Sequence, residues 1–313
     1  MARILIAAEL RRLLEQDPLP GHAVEWIPAD RATPTGEFTA VVPILSRRFA
    51  DAEFAALPGL RIVANCAVGY DNIDVDAARR HGVIVTNTPD VLTDATADLA
   101  WYLILAVARR TKEGEALIRD GQWTGWHPQQ LLGLELCGAT LGIVGAGRIG
   151  QAVGRRAAAF GMQVLYADRD ARVAFEDSTG ARRAALNELL ERSDIVTLHV
   201  PATDETRRMV DADWCARMRP GSFLINTARG DVVHEPALVA ALQSGHLGGA
   251  GLDVFPCEPR VHPALVSHPR VVTLPHLGSA TVATRRAMVE LAVRNVREVL
   301  EGRPPLTPVP GSA

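Results

Sequence analysis

Hydrophobic residues in the first third of the chain fall into short runs separated by segments of helical spacing. The runs predict strands at Arg3–Ala8, Ala40–Leu45, Arg61–Ala64 and Val83–Val85. The intervening segments predict helices at Glu9–Gln16, Arg47–Leu57 and Val75–His81. Strands that alternate with helices indicate βαβ units and a mostly parallel sheet. This region has no glycine-rich phosphate-binding turn, so we expect it to form a separate, smaller α/β domain.

The alternation resumes at Leu141 and continues to the last long helix. Six strands are predicted, at Leu141–Val144, Gln163–Ala167, Ile195–His199, Ser222–Asn226, Gly249–Asp253 and Val271–Leu274. Six parallel strands are the number found in a doubly wound dinucleotide-binding fold. The segment Ser279–Glu301 then has the pattern of one long amphipathic helix, and Leu306–Ala313 that of a tail.

A long apolar segment and a tryptophan-containing loop lie between these two regions. Thr93–Arg110 is apolar on most faces, which predicts a helix buried between domains or between subunits. The loop Gln122–Pro128 contains Trp123 and Trp126. Exposed aromatic residues in such a loop often mark an interface. Tryptophans that cover the edge of their own core would give the same pattern, so both interpretations stay open.

The second region is organised around Leu141–Gly150, an apolar run followed by glycines in the G-x-G-x-x-G spacing. Gly145 allows a tight turn, Gly147 lets a pyrophosphate approach the backbone, and Gly150 lets the following helix pack closely. The N-terminus of that helix offers free N–H groups to phosphates. Asp168 ends the next predicted strand, 18 residues after Gly150, close to the ~20 expected for a carboxylate that binds ribose. This context predicts a dinucleotide-binding domain.

Composition excludes several other classes of protein. A net charge of −3 over 313 residues argues against a surface for nucleic acid or anionic membranes. The longest apolar run, Leu99–Ala108, is too short to span a bilayer, and the first residues reach charge too soon for a signal peptide. The four cysteines contain no C-x-x-C pair. We therefore expect reduced thiols in a cytoplasmic protein, with neither a disulfide framework nor a metal site.

Three polar side chains follow successive strands of the predicted dinucleotide domain. Arg229, Glu258 and His276 each come shortly after one of its last three strands, where ligands of open parallel sheets bind. Each alone has a simpler interpretation, as an arginine that faces a phosphate, a solvated loop acid and a histidine that caps a helix. Together they supply what hydride transfer to a carbonyl requires. The arginine can bind a carboxylate, the histidine can protonate the nascent alkoxide, and the glutamate can favour the charged imidazole.

The sequence resembles the D-isomer-specific 2-hydroxyacid dehydrogenase family over nearly its whole length. The matching stretches are L-G-I-V-G-A-G-R-I-G, L-H-V-P-A-T, I-N-T-A-R-G-D-V-V, G-L-D-V-F-P-C-E-P and L-P-H-L-G-S-A-T. The resemblance implies an α/β protein of two domains, with the active site in the cleft. A doubly wound Rossmann cofactor domain, residues 98–280, is inserted in a smaller flavodoxin-like substrate domain, residues 1–97 plus 281–313.

The same resemblance assigns roles to individual residues. It implies that Arg229, Glu258 and His276 are catalytic. It also implies that the backbone N–H groups of Val68 and Gly69 hold the substrate carboxylate together with Arg229. The implied dinucleotide contacts are Gly145, Gly147, Arg148, Ile149, Gly150, Asp168, Arg169, His199, Val200, Pro201, Thr206, Thr227, Ala228, Asp253, His276 and Gly278. In this set, Asp253 is expected to hold the nicotinamide carboxamide.

Within the family, A-V-G-Y-D-N-I-D and P-D-V-L-T-D-A-T-A-D-L-A are most similar to glyoxylate and hydroxypyruvate reductases. This similarity implies NAD(P)H-dependent reduction of a small 2-oxo acid to the D-2-hydroxy acid. It also implies a homodimer in which Trp126 contacts the neighbouring active site and the substrate. Asp98 is a departure, since glutamate is common there in the family. Pyruvate/D-lactate and D-3-phosphoglycerate are alternative substrates. A non-catalytic dinucleotide-sensing protein is a less favoured alternative, because the related corepressors carry long tails that this sequence lacks.

Asp168 and Arg169 favour different cofactors. A carboxylate at the end of the second strand accepts hydrogen bonds from the ribose hydroxyls of NAD. Arg169, with Arg172 shortly after it, could instead approach the 2′-phosphate of NADP. We expect NAD to be preferred, because the carboxylate opposes the phosphate directly whereas a surface arginine is often only solvated.

Overall fold

The computed structural model describes residues 1–312, which form two compact units. The first combines Met1–Leu92 with the described part of Ser279–Ala313, and the second is the continuous segment Thr93–Gly278. From the sequence, we predict that the chain passes from one domain to the other after residues 97 and 280. The first observed change falls at the start of the helix Thr93–Ala108, which therefore belongs wholly to the second unit. Substrate binding by the first unit and cofactor binding by the second stay predictions.

Within residues 1–312, the first unit has one parallel sheet of five strands. These are β1 (Arg3–Ala7), β2 (Ala23–Ile27), β3 (Ala40–Val42), β4 (Ile62–Ala64) and β5 (Ile84–Thr86). Their order β2-β1-β3-β4-β5 is that of a flavodoxin-like sheet, as predicted. The helices α1 (Asp51–Ala55) and α2 (Val75–Arg80) connect strands of this sheet.

Two elements of the first unit differ from the sequence prediction. The strand β2 was missed because it is a half-buried edge strand with a mixed sequence, and a central apolar run is absent from it. The predicted helix Glu9–Gln16 is a short 3-10 helix, Ala8–Leu13.

The chain returns to the first unit with the helix Val282–Leu300. The buried side chain of Asn295, on this helix, accepts the backbone N–H groups of Leu306 and Thr307 at 2.8 and 3.0 Å. A β-bridge then joins Pro308 to strand β5. Residues 306–312, predicted as part of a tail, are therefore packed on the first unit, where they cover the open edge of its sheet.

The second unit has a parallel sheet of seven strands within the described residues. They are β6 (Thr140–Val144), β7 (Gln163–Ala167), β8 (Arg182–Arg183), β9 (Ile195–Leu198), β10 (Phe223–Asn226), β11 (Gly249–Leu252) and β12 (Val271–Thr273). The order is β12-β11-β10-β9-β6-β7-β8. Counted from β6, it is the 3-2-1-4-5-6 order of the Rossmann fold with one further strand. The six predicted strands are present, and β8 was missed because two exposed arginines carry no hydrophobic signal.

Helices cover both faces of the second sheet. They are α3 (Thr93–Ala108), α4 (Thr111–Arg119), α5 (Arg148–Ala157), α6 (Val173–Thr179), α7 (Leu186–Arg192), α8 (Ala212–Arg217), α9 (Glu235–Gln243) and α10 (Pro263–Ser267). One core cluster contains residues of α3 and α5, and the other contains residues of α7, α8 and α9. The apolar helix α3 packs on α5 and on the sheet, so its buried residues are accounted for within its own unit.

Candidate active site

The loops after β10, β11 and β12 carry the three candidate catalytic residues. These strands are neighbours in the parallel sheet, so their carboxyl ends lie at the same edge. Arg229, Glu258 and His276 follow at this edge. The topology therefore brings the loops of all three residues together, as the sequence pattern predicted.

Glu258 and His276 form a hydrogen-bonded pair, which is an ion pair when His276 is protonated. Oε2 of Glu258 lies 2.9 Å from Nδ1 of His276, and Oε1 accepts the backbone N–H of Phe255 at 3.1 Å. Burial favours the neutral acid, but the hydrogen bonds from His276 and Phe255 and the charge of Arg229 prevail and lower the pKa of Glu258. Because an ionised carboxylate only accepts hydrogen bonds, Nδ1 of His276 is the donor. Its Nε2 is then the ring nitrogen left to exchange a proton with a substrate.

The backbone of His276 is held in a left-handed conformation. Its φ angle is +57°, which costs an ordinary residue about 1–2 kcal/mol. Asp253, at the end of the neighbouring strand, offsets this cost, because its backbone carbonyl accepts the N–H of His276 at 2.9 Å. The two carboxylate oxygens of Asp253 accept the N–H groups of Leu277 and Gly278 at 2.7 and 2.8 Å. These charge-assisted bonds fix the turn that aims the imidazole at Glu258.

Asp253 itself is completely buried, with a relative exposure of 0 %. Burial raises the pKa of its carboxyl, although the N–H groups of Leu277 and Gly278 and the charge of His276 act in the opposite direction. In this structure, Asp253 holds the turn at His276 through its hydrogen bonds to Leu277 and Gly278. The nicotinamide contact implied by the family resemblance stays a prediction.

Arg229 sits in a turn organised by Asn226. The side chain of Asn226 is buried, donates through Nδ2 to the carbonyl of Arg229 at 2.9 Å and accepts the N–H of Ala228 at 3.0 Å. Nη1 of Arg229 donates to the carbonyl of Ala228 at 2.8 Å. Thr227, the remaining residue of the turn, is buried. This geometry fixes the backbone from which the Arg229 guanidinium extends.

The glycine turn has the shape that a bound pyrophosphate needs. Gly145 has a positive φ of +92°, and a Cβ there would lie 2.8 Å from the carbonyl of His199. At Gly147, which caps α5, a Cβ would meet nothing within 4 Å. The space beside Gly147 is therefore open. It borders the N-terminus of α5, a ten-residue helix whose first two residues are Arg148 and Ile149. Free N–H groups and open space together fit a phosphate ligand.

The carboxylate of Asp168 is hydrogen-bonded to the glycine turn and paired with an arginine. Oδ2 of Asp168 accepts the N–H of Ala146 at 2.8 Å, within the glycine turn. Oδ1 pairs with Nη2 of Arg172 at 3.1 Å, while Arg169 is exposed. Nη2 of Arg183, in β8, donates to the carbonyls of Asp168 and Arg169 at 2.9 and 2.5 Å. The arginine that forms an ion pair with Asp168 is thus Arg172, and Arg183 holds the turn by hydrogen bonds from a neighbouring strand.

The loop after β9 contains the remaining candidate cofactor residues. Nε2 of His199 lies 2.9 Å from Oγ1 of Thr197, and burial lowers the pKa of His199 to about 3, so its ring is neutral at physiological pH. Oγ1 of Thr206 donates to the carbonyl of Pro201 at 2.6 Å. That bond closes the loop that also contains Val200. Contact of these residues with a dinucleotide stays a prediction.

In the first unit, asparagine side chains shape the loop that follows β4. Nδ2 of Asn87 donates to the carbonyl of Val68 at 2.8 Å, and Nδ2 of Asn65 donates to the carbonyl of Gly69 at 2.9 Å. With both carbonyls held, the orientation of the two peptide planes is set. Binding of a substrate carboxylate by the N–H groups of Val68 and Gly69 is untested by this geometry.

The tryptophan loop projects apolar surface. Trp126 is 84 % exposed, and Trp123 and Leu132 are also exposed. Tyr102 of α3 and Ile118 of α4 add further exposed apolar side chains to the same unit. The interpretation that these tryptophans cover the edge of their own core therefore fails for Trp126. Apolar exposure of this kind is typical of interaction surfaces.

A cavity of about 260 Å³ borders the ion pair. Besides Glu258 and His276, its lining is largely apolar and includes Phe255, Val261 and Leu274. An apolar pocket with a few convergent polar groups is the usual form of a small-molecule site.

Residues 1–312 contain neither a cluster of metal ligands nor a helix that could span a membrane. No group of three or more histidine, cysteine or acidic side chains in this range could hold a metal ion. The cysteines of the described chain are free thiols. No helix in this range is both long and apolar enough to cross a bilayer.

Sequence reasoning missed the residues that hold the site in place. Asn226 and Arg183 act by hydrogen bonds, and Gly230 acts by making room for the neighbouring loop. The signal for Asn226 was available, since asparagine at the end of a buried strand often bonds its own backbone two residues on. The contacts of Arg183 and Gly230 depend on tertiary packing, which the sequence pattern does not contain.

Comparison with known proteins identifies what the chain is similar to. Residues 101–278 match the model described as "D-isomer specific 2-hydroxyacid dehydrogenase, NAD binding domain". A glyoxylate reductase of Thermococcus onnurineus is 50 % identical over 272 residues, which are 86 % of this chain and 81 % of that protein.

Two solved structures extend the similarity to the fold. The NADPH-dependent glyoxylate/hydroxypyruvate reductase of Sinorhizobium meliloti, solved with NADP and malonate, has a TM-score of 0.90 and 39 % identity, and the match covers 99 % of this chain and 97 % of that one. A glyoxylate reductase from Paecilomyes thermophila has a TM-score of 0.86 and 32 % identity, with coverage of 100 % and 99 %.

Proposed function

Because the chain belongs to the D-isomer-specific 2-hydroxyacid dehydrogenase family, we propose that it reduces glyoxylate and hydroxypyruvate to the corresponding 2-hydroxy acids with a reduced nicotinamide dinucleotide. The observation that carries the proposal is the ion pair between Glu258 and His276, 2.9 Å apart, at the carboxyl edge of a Rossmann sheet. The names of the Thermococcus and Sinorhizobium relatives support the choice of substrate.

The chain's own residues account for the proton and the substrate charge. The dinucleotide, when bound, supplies a hydride that carries two electrons to C2 of the 2-oxo acid. His276 gives the proton from Nε2 to the carbonyl oxygen, so the C=O becomes a CH–OH and the histidine is left neutral. Glu258 stabilises the imidazolium before transfer. Arg229 binds the substrate carboxylate and polarises the carbonyl.

We propose NADH as the preferred cofactor, with the preference limited by Arg172. Asp168 stands where a carboxylate meets the adenosine ribose. Arg172 pairs with Asp168 at 3.1 Å and offsets part of the negative charge of the carboxylate. A 2′-phosphate is therefore repelled less strongly than it would be by an unpaired carboxylate. Gly145, Gly147 and Gly150, with the N-terminus of α5, would hold the pyrophosphate.

We further propose a homodimer formed through the second unit. The exposed Trp123 and Trp126 in the loop, with Tyr102 and Ile118 on the two neighbouring helices, provide apolar surface that a second copy of the chain would cover. Aromatic residues are enriched in such interfaces.

The test is a steady-state screen of 2-oxo acids with NADH and NADPH. Glyoxylate and hydroxypyruvate should give the highest kcat/KM, above pyruvate and 3-phosphohydroxypyruvate. A higher kcat/KM for either of the latter would replace the proposed substrate and keep the mechanism. Tight dinucleotide binding without turnover of any of the four acids would overturn the proposal and favour a dinucleotide-sensing binding protein.

A further inference from the structure

The backbone of Gly230 packs directly against the backbone of the loop that carries Glu258. A Cβ on Gly230 would lie closer than 3.0 Å to the carbonyl carbon and oxygen of Phe255 and to the nitrogen of Pro256. Side chains in native structures do not tolerate such contacts with backbone, because packing in interiors leaves no slack of that size. The φ angle of Gly230 lies outside the left-handed region, so what this position requires is space.

The contact joins two of the three catalytic loops. Gly230 directly follows Arg229, and the peptide it touches is formed by the carbonyl of Phe255 and the nitrogen of Pro256. On the other side of its Cα, Phe255 donates its N–H to Oε1 of Glu258 at 3.1 Å. The other oxygen of Glu258 holds His276. A displacement of the Phe255–Pro256 peptide would therefore be passed to the carboxylate that orients the imidazole.

We propose that Gly230 is a positioning residue: the absence of a side chain there lets the Arg229 turn lie against the Phe255–Pro256 peptide, and that contact keeps Glu258 on His276. The consequence for catalysis rests on the proposed function, whereas the contact and its effect on the ion pair do not. The charged groups that bear on this pair are Arg229 from the loop after β10 and Asp253, the residue that follows β11.

The test compares Gly230→Ala with the wild-type protein in two measurements. The first is the pH titration of the His276 ring by NMR in the ligand-free protein, assigned with His276→Gln. We expect the midpoint to fall towards that of Glu258→Gln, because a displaced carboxylate stabilises the imidazolium less. The second is kcat with glyoxylate, which should fall roughly tenfold to a hundredfold, as expected for a misplacement of about 1 Å.

Gly248→Ala is the matched control. A Cβ on Gly248 would also lie closer than 3.0 Å to backbone, here the carbonyl oxygen of Gly221, but it stands just before β11, at the opposite end of that strand from Glu258. It should lower Tm and leave the midpoint of His276 unchanged. A folded Gly230→Ala protein with the wild-type midpoint, or with a shift that Gly248→Ala reproduces, would overturn the proposal.

Asn226→Ala keeps the proposal testable if Gly230→Ala does not fold. It adds no atom and removes the two bonds that fix the turn ending at Gly230, so the His276 midpoint should fall in the same direction. An unchanged midpoint in folded Asn226→Ala would overturn the positioning role. Because the titration needs neither substrate nor cofactor, it reports on Gly230 even if the wild-type protein turns over no 2-oxo acid.

Discussion

Oε2 of Glu258 lies 2.9 Å from Nδ1 of His276. The hydrogen bonds and charges around this carboxylate outweigh its burial and lower its pKa. Its lowered pKa means that the pair persists as the pH falls through the ordinary range of a carboxyl and is lost only below it. In the proposed mechanism His276 acts in its protonated form, so reduction should decline as the pH rises.

Glu258→Gln should therefore move the high-pH limb of kcat/KM for reduction to lower pH. The variant keeps a hydrogen-bond acceptor but loses the negative charge that stabilises the imidazolium. The pH profile with glyoxylate is the measurement, and activity near pH 5 should be affected much less than activity near pH 8. A uniform loss at all pH values would show that Glu258 acts on geometry alone.

His276→Ala should lower kcat by about 10²–10⁴-fold, the usual contribution of a positioned general acid. The Kd of the dinucleotide should change little. His276→Asn is the control for the backbone, because asparagine tolerates the left-handed conformation at this position and should keep Tm higher than alanine does. If His276→Ala retains kcat near that of the wild type, the proton comes from another group.

Arg229→Lys should raise KM and lower kcat together. Lysine keeps the charge but loses the planar fork that binds a carboxylate through two hydrogen bonds. Steady-state kinetics with glyoxylate and with hydroxypyruvate provide the measurement. Unchanged kcat/KM for both acids would mean that Arg229 serves the fold or the cofactor.

Asp168→Ser and Arg172→Ala should shift cofactor preference in opposite directions. Removal of the Asp168 carboxylate reduces repulsion of a 2′-phosphate, so the NADH/NADPH ratio of kcat/KM should narrow or reverse. Removal of Arg172 leaves the carboxylate without its ion pair, so the ratio should widen. Arg182→Ala is the control, because Arg182 is an exposed arginine of the adjacent strand β8. A wild-type preference for NADPH of about tenfold, ~1.4 kcal/mol, would contradict the choice of NADH.

Light scattering should show a dimer at micromolar concentration. Trp126→Ala should weaken the dimer, and it should also change the KM of the substrate if the loop reaches the neighbouring site, as the family resemblance implies. Trp214→Phe is a suitable comparison, because Trp214 is buried within its own unit and should leave assembly unaffected. A monomeric wild-type protein would contradict the proposed assembly.

The sequence was most informative where one residue type answers one local requirement. The glycine turn and the strand-end positions of Arg229, Glu258 and His276 could all be read from spacing, because parallel strands place their carboxyl ends together. Interactions that depend on how a turn closes or on how distant segments pack could not be read in this way. The ion pair of Asp168 with Arg172 depends on how a turn closes, and the bonds from Arg183 to that turn depend on a two-residue strand. The packing of Leu306 and Thr307 on Asn295 likewise depends on tertiary contacts.

The interrupted first unit has a consequence for how the chain folds during synthesis. The second unit is one continuous segment, Thr93–Gly278, and all its strands are available once residue 278 has left the ribosome. The sheet that was made first must wait for the helix Val282–Leu300 and for the residues that close its β5 edge. Domains usually complete in the order in which they are translated. Here the second unit can complete first, and the β5 edge stays uncovered until the residues around Pro308 have been synthesised.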